Sequence, residues 1–399
     1  MRTDNINTKS TSAPNKEILF VETKATVFGG QKALLARCGE LDHLGIGYQV
    51  IHPHYNSDFS NQYCDLALRG ELISPTRNLN KFLQALYILN KLTSSRFMRG
   101  IKTIHCDAFD SAYLVAGLRK LGYHKHNHII FTVRSERYLR FTAIDRFLLK
   151  SFNKILTNSN FSRKNISDAA GIPENEITVT ASPINFSSLP THTTSDYSGA
   201  DPVTIGYVGS FDKRKQLERF INHGLALILD KPERRFEFQM FGEPKTEEQK
   251  KLKARMEALI TASDATDQFH FSGYCPTEKI SHKIDVLYCP FDNEPLGRVV
   301  PEFLYMGVPV IAHDSGGLSE AGCGYAYMVH GKTESQLRDA FLNAIDCVLT
   351  TPENSEIELH EMRQTLISRF GRAAIVSAEL SEYRLSSFSE PKTSNKSGA

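Results

Sequence analysis

Residues 286–320 read VLYCPFDNEPLGRVVPEFLYMGVPVIAHDSGGLSE, and this stretch decides the fold class. The runs at 286–291 and 308–314 are short and apolar, so each predicts a buried strand. Pro301 is tolerated only in the first turn of a helix, so the segment between the two runs predicts a helix that begins near Arg298. A strand, a helix and a second strand in this order form a βαβ unit, which implies a parallel sheet.

The same alternation continues through most of the chain. Further strands are predicted at 17–23, 48–54, 102–108, 128–134, 154–160, 203–209, 236–242 and 269–273. Further helices are predicted at 30–45, 112–121, 143–153, 215–229 and 247–262, with Ala33, Leu34, Leu41 and Leu44 on the apolar face of the first. The fold class that follows is α/β, with two Rossmann-like, doubly wound parallel-sheet domains that face an interdomain cleft.

Composition shifts suggest where the domains begin and end. The segment 190–202, PTHTTSDYSGADP, is polar and turn-forming, which is typical of a linker. It separates a predicted domain at 17–189 from one at 203–356. A long amphipathic stretch at 357–388 predicts one or two further helices. The polar ends, 1–16 and 389–399, are expected to be disordered.

The composition excludes several classes of function. Lys and Arg number 47 against 45 Asp and Glu, a formal net charge of +2, which argues against a nucleic-acid-binding protein. Residues 1–16 contain no apolar signal region, and no stretch approaches the ~20 apolar residues of a membrane span. The seven cysteines are scattered without a C-x-x-C pair, which is typical of free thiols in a reducing cytoplasm.

Two glycines, Gly29 and Gly30, follow the first predicted strand. They allow a ligand to approach the backbone closely, and the helix that follows offers free N–H groups. The alternative is a tight turn without a ligand. The G-x-G-x-x-G fingerprint is absent here, which argues against a dinucleotide cofactor.

Three consecutive cations, Lys213, Arg214 and Lys215, stand where the first helix of the second domain is predicted to begin, after Gly209 and Ser210. Cations at a helix N-terminus oppose the helix dipole, so this placement favours a bound anion such as a diphosphate. A solvated charged turn is the alternative.

Two carboxylates lie close to the start of the helix that is predicted to begin near Arg298, one before it and one inside it. Glu294 falls in the loop at the carboxyl edge of the sheet, and Glu302 lies about one turn inside the helix. Residues 296–298 supply backbone amides at the helix start. We interpret this group as one side of a ligand cavity, with an ordinary exposed position for Glu302 as the alternative.

Taken together, these residues resemble the GT-B glycosyltransferases, specifically the retaining, nucleotide-sugar-dependent family 4. The family motif is E-x-x-G-x-x-x-x-E, then G-x-P-V-[IV]-A, then G-G-x-x-E. The matching residues are Glu294, Gly297, Glu302, Gly307, Pro309, Val310, Ile311, Ala312, Gly316, Gly317 and Glu320. Gly29 and Gly30 occupy the family's glycine loop, Gly209 with Lys215 fits its phosphate site, and residues 159–166 with Pro183 and Asn185 are similar to its hinge-proximal segment. The resemblance covers residues 17–386.

The resemblance implies a retaining enzyme that transfers sugar from a UDP- or GDP-linked donor to a glycan, lipid-linked or small-molecule acceptor in cell-surface polysaccharide or glycolipid synthesis. Glu294, Lys215 and Arg214 would be catalytic, with Glu302 on the donor ribose. The implied donor-binding residues are Gly29, Gly30, Gly209, Ser210, Lys213, Lys215, Gly273, Tyr274, Cys275, Glu294, Pro295, Leu296, Gly297, Arg298 and Glu302. Arg134 and His105 would lie on the acceptor side. No protein nucleophile, metal ion or other cofactor is implied, and the nucleotide-sugar is a co-substrate.

Three departures from the family pattern bear on these roles. Ser210 replaces the usual Arg, so Lys213 or Arg214 would supply the missing charge. Arg134 stands where many members have an active-site His, and residues 183–185 replace the common N-G-[IV]-D. A catalytically silent partner protein and a GT-B sugar epimerase therefore remain alternatives.

A basic, amphipathic segment at 135–154 carries Arg137, Arg140, Arg146, Lys150 and Lys154 between apolar residues. An ordinary core helix with solvated cations is the favoured interpretation, and a peripheral contact with the cytoplasmic membrane face is the alternative. The expected location is cytoplasmic.

Overall fold

The computed structural model describes residues 16–27, 29–134, 141–191, 202–350 and 355–385. The chain forms two compact units, the first comprising residues 1–133, 143–155 and 376–399 and the second comprising 134–142 and 156–375. The predicted boundaries at 17–189, 190–202, 203–356 and 357–388 differ from this division and stay a prediction. Most of the predicted linker and nearly all of both predicted tails lie outside the described residues.

The first sheet has seven strands in the order β3-β2-β1-β4-β5-β6-β7. They are β1 (Lys16–Val21), β2 (Gly47–Ile51), β3 (Glu71–Ile73), β4 (Thr103–Cys106), β5 (His128–Val133), β6 (Lys154–Thr157) and β7 (Ile177–Val179). The pairs β1 with β2, β1 with β4, β2 with β3 and β4 with β5 are parallel. Helices in this part of the chain are α1 (Gly29–His43), α2 (Asp58–Asp65), α3 (Lys81–Thr93), α4 (Phe109–Lys120), α5 (Ala143–Leu149) and α6 (Asn160–Ala170).

The second sheet has six strands in the order β10-β9-β8-β11-β12-β13, and every neighbouring pair is parallel. They are β8 (Val203–Val208), β9 (Phe236–Phe241), β10 (Phe269–Phe271), β11 (Val286–Cys289), β12 (Val310–His313) and β13 (Tyr327–Val329). The remaining helices are α7 (Leu217–Asp230), α8 (Glu247–Ala262), α9 (Val299–Met306), α10 (Leu318–Gly322), α11 (Glu334–Thr350), α12 (Glu356–Phe370) and α13 (Arg372–Leu380).

The strands form where the sequence is continuously apolar because helices cover both faces of a parallel sheet. All four residues of β11 are buried, as are the first three of β12. The α/β fold class with two parallel sheets is thereby confirmed. None of the described helices is long and apolar enough to cross a membrane.

Three local predictions were wrong. Leu44 lies beyond the end of α1 with 45% of its surface exposed, so it is not part of the buried face. The helix predicted from Lys215 begins at Leu217, because residues 213–215 form a 3-10 turn and Gln216 adopts a left-handed conformation with φ of +49°. The helix predicted at 143–153 ends at Leu149, while residues 135–140 of the basic segment lie outside the described residues.

Helix α13, near the C-terminus, is held to the first unit by a buried ion pair. Glu379 of α13 and Arg37 of α1 are both fully buried and form a bidentate ion pair, with N–O distances of 2.5 and 2.8 Å. Asp107 also lies 3.1 Å from the Arg37 guanidinium. This three-charge cluster fixes the C-terminal helix to the first sheet, since an unpaired charge at this depth would be very unfavourable.

Candidate functional site

The candidate site in the second unit lies at the carboxyl ends of three adjacent strands, β8, β11 and β12. The loops that leave these strands span residues 209–212, 290–298 and 314–317. Ligands of doubly wound folds bind at this edge of the sheet, because the helices that follow direct their N-termini to it.

The loop after β8 is held by its own polar groups. The N–H of Gly209 donates to the carbonyl of Phe241 at 3.0 Å, and the Tyr207 hydroxyl donates to the carbonyl of Ser210 at 2.8 Å. The Ser210 hydroxyl donates to Asp212 at 2.6 Å. Ser210 is therefore turned toward Asp212 and supplies no positive charge.

Arg214 and Lys215 converge on Glu294. The Arg214 Nη1 and Lys215 Nζ atoms lie 2.7 and 3.1 Å from the same Glu294 Oε2. The Lys215 ammonium also lies 3.9 Å from the centre of the Phe291 ring, in a cation–π contact. Lys213, by contrast, is exposed.

This geometry corrects the argument from the helix dipole. The three cations lie in a 3-10 turn that precedes α7, and two of them form ion pairs with the carboxylate of Glu294. The arrangement does not require a bound anion for its stability. Arg214 and Lys215 thus place two positive charges beside one carboxylate.

Two glycines bring the loop after β12 against the loop after β11. The N–H of Gly317 donates to the carbonyl of Glu294 at 2.7 Å, and the Ser315 hydroxyl accepts from the N–H of Asn293 at 2.9 Å. A Cβ atom on Gly316 would lie 2.3 Å from the Glu294 carbonyl oxygen, and one on Gly317 would lie 2.4 Å from the Pro295 carbonyl oxygen. Only glycine fits at either position, so both motif glycines position Glu294.

Glu302 is on α9, one turn after Arg298, as predicted, but it is not exposed. Only 6% of its surface is accessible. Its Oε1 accepts from the Arg298 guanidinium at 3.1 and 3.3 Å, and its Oε2 accepts from the Thr277 hydroxyl at 3.3 Å. The interpretation of Glu302 as a solvated helix residue is excluded. Gly297, with φ of +83°, begins the turn into the helix.

The third motif glutamate, Glu320, binds backbone. Its carboxylate accepts from the N–H groups of Asn160 and Phe161 at 2.8 and 3.0 Å, at the N-terminus of α6. The hydroxyl of Ser159 donates to the carbonyl of Pro295 at 2.5 Å. These bonds tie the segment around Ser159 to the loop that carries Glu294, so Glu320 has a positioning role.

Sequence reasoning missed a second charged network behind the loop. Arg219 of α7 is 6% exposed and contacts Asp292 and Glu334 at 2.8 and 2.7 Å and the carbonyl of Pro290 at 2.8 Å. Burial raises the pKa of Asp292, but hydrogen bonds from His313 and Arg219 outweigh it and lower that pKa to about 2. The N–H of Asp292 in turn donates to the carbonyl of Arg214 at 2.8 Å. The network thus links the Arg214 turn to the Glu294 loop.

Gly273, Tyr274 and Cys275 follow β10, at the edge of the sheet. Gly273 has φ of +74°, the Tyr274 side chain is 55% exposed, and Cys275 is half-buried. The Tyr274 N–H donates to Glu243 at 3.4 Å. Their predicted role in donor binding stays a prediction.

Of the remaining predicted residues, Gly29, Gly30 and His105 belong to the first unit and Arg134 to the second. Gly29 and Gly30 open α1, and the position of a Cβ on Gly30 is open, with no atom within 4 Å. His105 is fully buried, with its ring nitrogens 2.7 Å from the Tyr383 hydroxyl and 2.6 Å from the Thr132 hydroxyl. Arg134 is half-buried directly after β5.

Glu22 is a buried carboxyl that the sequence did not single out. It lies directly after β1, accepts from the N–H of Lys24 at 2.7 Å and from Gln31 at 3.2 Å, and is fully buried. Burial raises its pKa to about 7, with Asp107 contributing in the same direction. Across the described parts of the chain, no group of three or more His, Cys, Asp or Glu side chains is placed to hold a metal ion.

Part of the chain is similar in sequence to known proteins. Residues 202–349 match the family model described as glycosyl transferases group 1. The 2-deoxystreptamine glucosyltransferase of Streptomyces kanamyceticus is 30% identical over 128 residues, which cover 30% of this chain and 31% of that relative. The chain thus spans about a third of the length of the curated relative it matches.

Solved structures match nearly the whole chain. Anabaena Alr3699/HepE, in a complex with UDP and glucose, superimposes with a TM-score of 0.72 at 15% identity and covers 92% of this chain and 98% of that one. A glycosyltransferase from Rickettsia africae gives a TM-score of 0.69 at 18% identity, with 92% and 97% covered. Residues 202–349 are thus similar to the group 1 glycosyl transferases, and the chain has the GT-B fold of these solved structures.

Proposed function

We propose that the chain transfers a sugar from a nucleotide-sugar donor bound by the second unit, with retention of anomeric configuration. The observation that carries the proposal is the convergence of Arg214 and Lys215 on Glu294 beside the N-terminus of α9, with Glu302 buried one turn inside that helix. The cluster combines an anion-binding group with two carboxylates, which are the acceptors that sugar hydroxyls need.

The cations are proposed to bind the diphosphate. Arg214 and Lys215 carry two positive charges against the single charge of Glu294, and the first N–H groups of α9 have no partner within the helix. A diphosphate that enters would draw both cations from Glu294, whose carboxylate then becomes available to hydroxyls of the transferred sugar. The same cations stabilise the charge that develops on the leaving nucleotide.

Glu302 is proposed to bind the donor ribose. The Oε2 atom, which accepts from the Thr277 hydroxyl, can accept a second hydrogen bond, so a ribose hydroxyl can bind there without displacing Thr277. The salt bridge between Arg298 Nη2 and Glu302 Oε1, 3.1 Å apart, holds the carboxylate in place. This preorganisation reduces the entropy that ligand binding would otherwise cost.

Retention follows from attack on the same face that the diphosphate leaves, with a donor phosphate oxygen taking the acceptor proton. No protein nucleophile and no metal ion are required in this mechanism, because the cations stabilise the departing charge. The NMR coupling of the product's anomeric proton tests the stereochemistry, and turnover in excess EDTA tests the metal. An inverted product or loss of turnover in EDTA would contradict these two points.

The donor is proposed to be a UDP-linked hexose, with GDP-linked sugars as the alternative. UDP and glucose are the ligands in the Anabaena structure, and the Streptomyces relative is named a glucosyltransferase. The acceptor is proposed to be a glycan, a lipid-linked sugar or a small molecule, in polysaccharide or glycolipid synthesis in the cytoplasm.

The test is release of nucleoside diphosphate from donor by wild type, Lys215→Ala and the control Lys250→Ala, whose cation lies on the exposed face of α8. Loss of a group that stabilises the leaving charge should lower turnover by a factor on the order of 10²–10³ in Lys215→Ala. The control should retain wild-type turnover. Equal rates in all three proteins would refute the role of Lys215. Release of no nucleotide by the wild type would favour a silent partner protein, and conversion of the donor to another nucleotide-sugar without acceptor would favour an epimerase.

A further inference from the structure

A basic cavity of about 830 Å³ lies in the first unit, at the opposite edge of the sheet from the ends that carry ligands in doubly wound folds. Lys16 begins β1 and Lys102 directly precedes β4, so the cavity is at the amino-terminal ends of these strands. Glu17 of β1, Gln49 of β2, the end of α3 and the segment 94–102 form its remaining wall. The cavity shares no residue with the proposed donor site.

Positive charge is concentrated around this cavity. Five cations line it against one carboxylate, that of Glu17; the cations are Lys16, Lys91, Arg96, Arg99 and Lys102. Lys16 is neutralised by Glu71 at 2.6 Å and Lys102 by Glu17 at 3.2 Å. The other three cations, Lys91, Arg96 and Arg99, form no salt bridge with any carboxylate of the described residues. A concave surface of one sign focuses the field and attracts ions of the opposite sign.

Arg96 and Arg99 are suited to bind an oxyanion. Within the described ranges, Arg96 and Arg99 have no carboxylate within salt-bridge distance. Lys91 lies over the Tyr87 and Phe97 rings, 5.6 and 5.7 Å from their centres, which orients its ammonium. Guanidinium groups bind phosphate oxygens in pairs of parallel hydrogen bonds.

We propose that this cavity is a binding site for a phosphate-bearing ligand. The proposal stands apart from the sugar-transfer function, because it rests only on residues of the first unit. The ligand's phosphate would lie between Arg96 and Arg99, with Lys91 as a third contact.

The source of the phosphate group is either a soluble ligand or a lipid headgroup. Helix α3 gives the second source a physical basis, since Phe82, Leu83 and Leu86 are 71%, 41% and 45% exposed. Phe82, Leu86 and Asn90 are spaced by four residues and share one face of the helix, and Asn90 lines the cavity. An exposed apolar stripe beside a basic cavity is typical of a surface that contacts a membrane, so a lipid headgroup is a source of the phosphate alongside a soluble ligand.

The chain contains no tryptophan, so Phe97→Trp would place a single fluorescent reporter in the cavity wall. In this background the full chain is titrated with inorganic pyrophosphate, with phosphatidylcholine vesicles, and with vesicles that also contain phosphatidylglycerol. We expect a saturable emission change with pyrophosphate, with the anionic vesicles, or with both, and the arm that responds identifies the source. Arg96→Ala with Arg99→Ala should weaken that response at least about tenfold, because bonds to charged groups are being removed.

The matched control is Lys250→Ala with Arg255→Ala, which removes two exposed cations from α8 and should leave the response unchanged. Circular dichroism of each variant verifies that it is folded, and a chloride titration at equal ionic strength separates binding from screening. No emission change in either arm would overturn the proposal. An equal response in the Arg96/Arg99 variant, or an equal response to neutral and anionic vesicles, would do the same.

Discussion

Replacement of Gly316 by alanine should disable the site without altering any side chain proposed to contact substrate. Gly316 has φ of +73°, and its new Cβ would lie 2.3 and 2.6 Å from the carbonyl oxygen and the nitrogen of Glu294. Both neighbours are backbone atoms, so the Glu294 loop itself must move. Gly324 is a matched control, because it has φ of +85° and no atom within 4 Å of the corresponding Cβ.

The two substitutions share one cost and differ in another. A left-handed conformation costs a residue with a Cβ about 1–2 kcal/mol, and this applies to both variants. Displacement of packed backbone adds about 1–3 kcal/mol in Gly316→Ala alone. We therefore expect a loss of unfolding free energy of about 2–5 kcal/mol for Gly316→Ala and about 1–2 kcal/mol for Gly324→Ala.

Activity should separate the variants more clearly than stability does. A shift of the Glu294 loop by about 1 Å can lower turnover by a factor on the order of 10². Urea unfolding gives the stability difference, and nucleotide release from the donor gives turnover at a temperature where both variants are folded. Equal stability losses together with equal turnover in Gly316→Ala and Gly324→Ala would refute the claim that this glycine positions Glu294.

Two further predictions concern buried charges of the first unit. Glu379→Ala leaves the fully buried Arg37 without its bidentate partner and should lower the unfolding free energy by about 3–5 kcal/mol. The control Glu382→Ala breaks a partly exposed pair with Lys154 and should lower it by at most about 1 kcal/mol. Similar denaturation midpoints for the two variants would contradict this prediction. Glu22 has a pKa raised from 4.5 to about 7, so the folded state retains a proton that the unfolded state releases, and stability should fall as pH rises through this interval. Between pH 4.5 and pH 7 the unfolding free energy of the wild type should fall by up to about 3 kcal/mol relative to that of Glu22→Gln. A difference in unfolding free energy between the two proteins that does not change with pH would disprove the assignment.

Much of the second unit was predictable from local sequence. Continuous apolar runs such as 286–289 can be buried on both faces only in a parallel sheet, and this placed five of the six strands of the second sheet to within a few residues. The sixth, β13, was missed because Tyr327–Val329 is only three residues long and two of the three are half-buried. The start of α9 followed from Pro301, whose missing N–H confines it to a first turn. Glu294 and Glu302 could be placed together from the sequence, because they are eight positions apart in the loop and helix that directly follow β11.

The rest depends on contacts that are distant in sequence. The buried Arg37 is paired with a residue 342 positions away, so no local pattern indicates that this cation lies in the core. The left-handed Gln216, which delays α7, carries no glycine or asparagine signal. The Arg219 network joins α7, the loop after β11 and α11, so its members were three unrelated charges in the sequence.

The most direct test of the central claim is calorimetric titration of wild type and Glu302→Ala with UDP, GDP and ADP and with their sugar conjugates. We predict that one nucleotide series binds the wild type and that Glu302→Ala binds it at least about tenfold more weakly, since a charge-assisted hydrogen bond to the ribose is lost. Glu294→Ala serves as the comparison, because it should retain affinity for the bare nucleotide while losing turnover. Unchanged nucleotide affinity in Glu302→Ala, or no binding of any nucleotide to the wild type, would contradict the account.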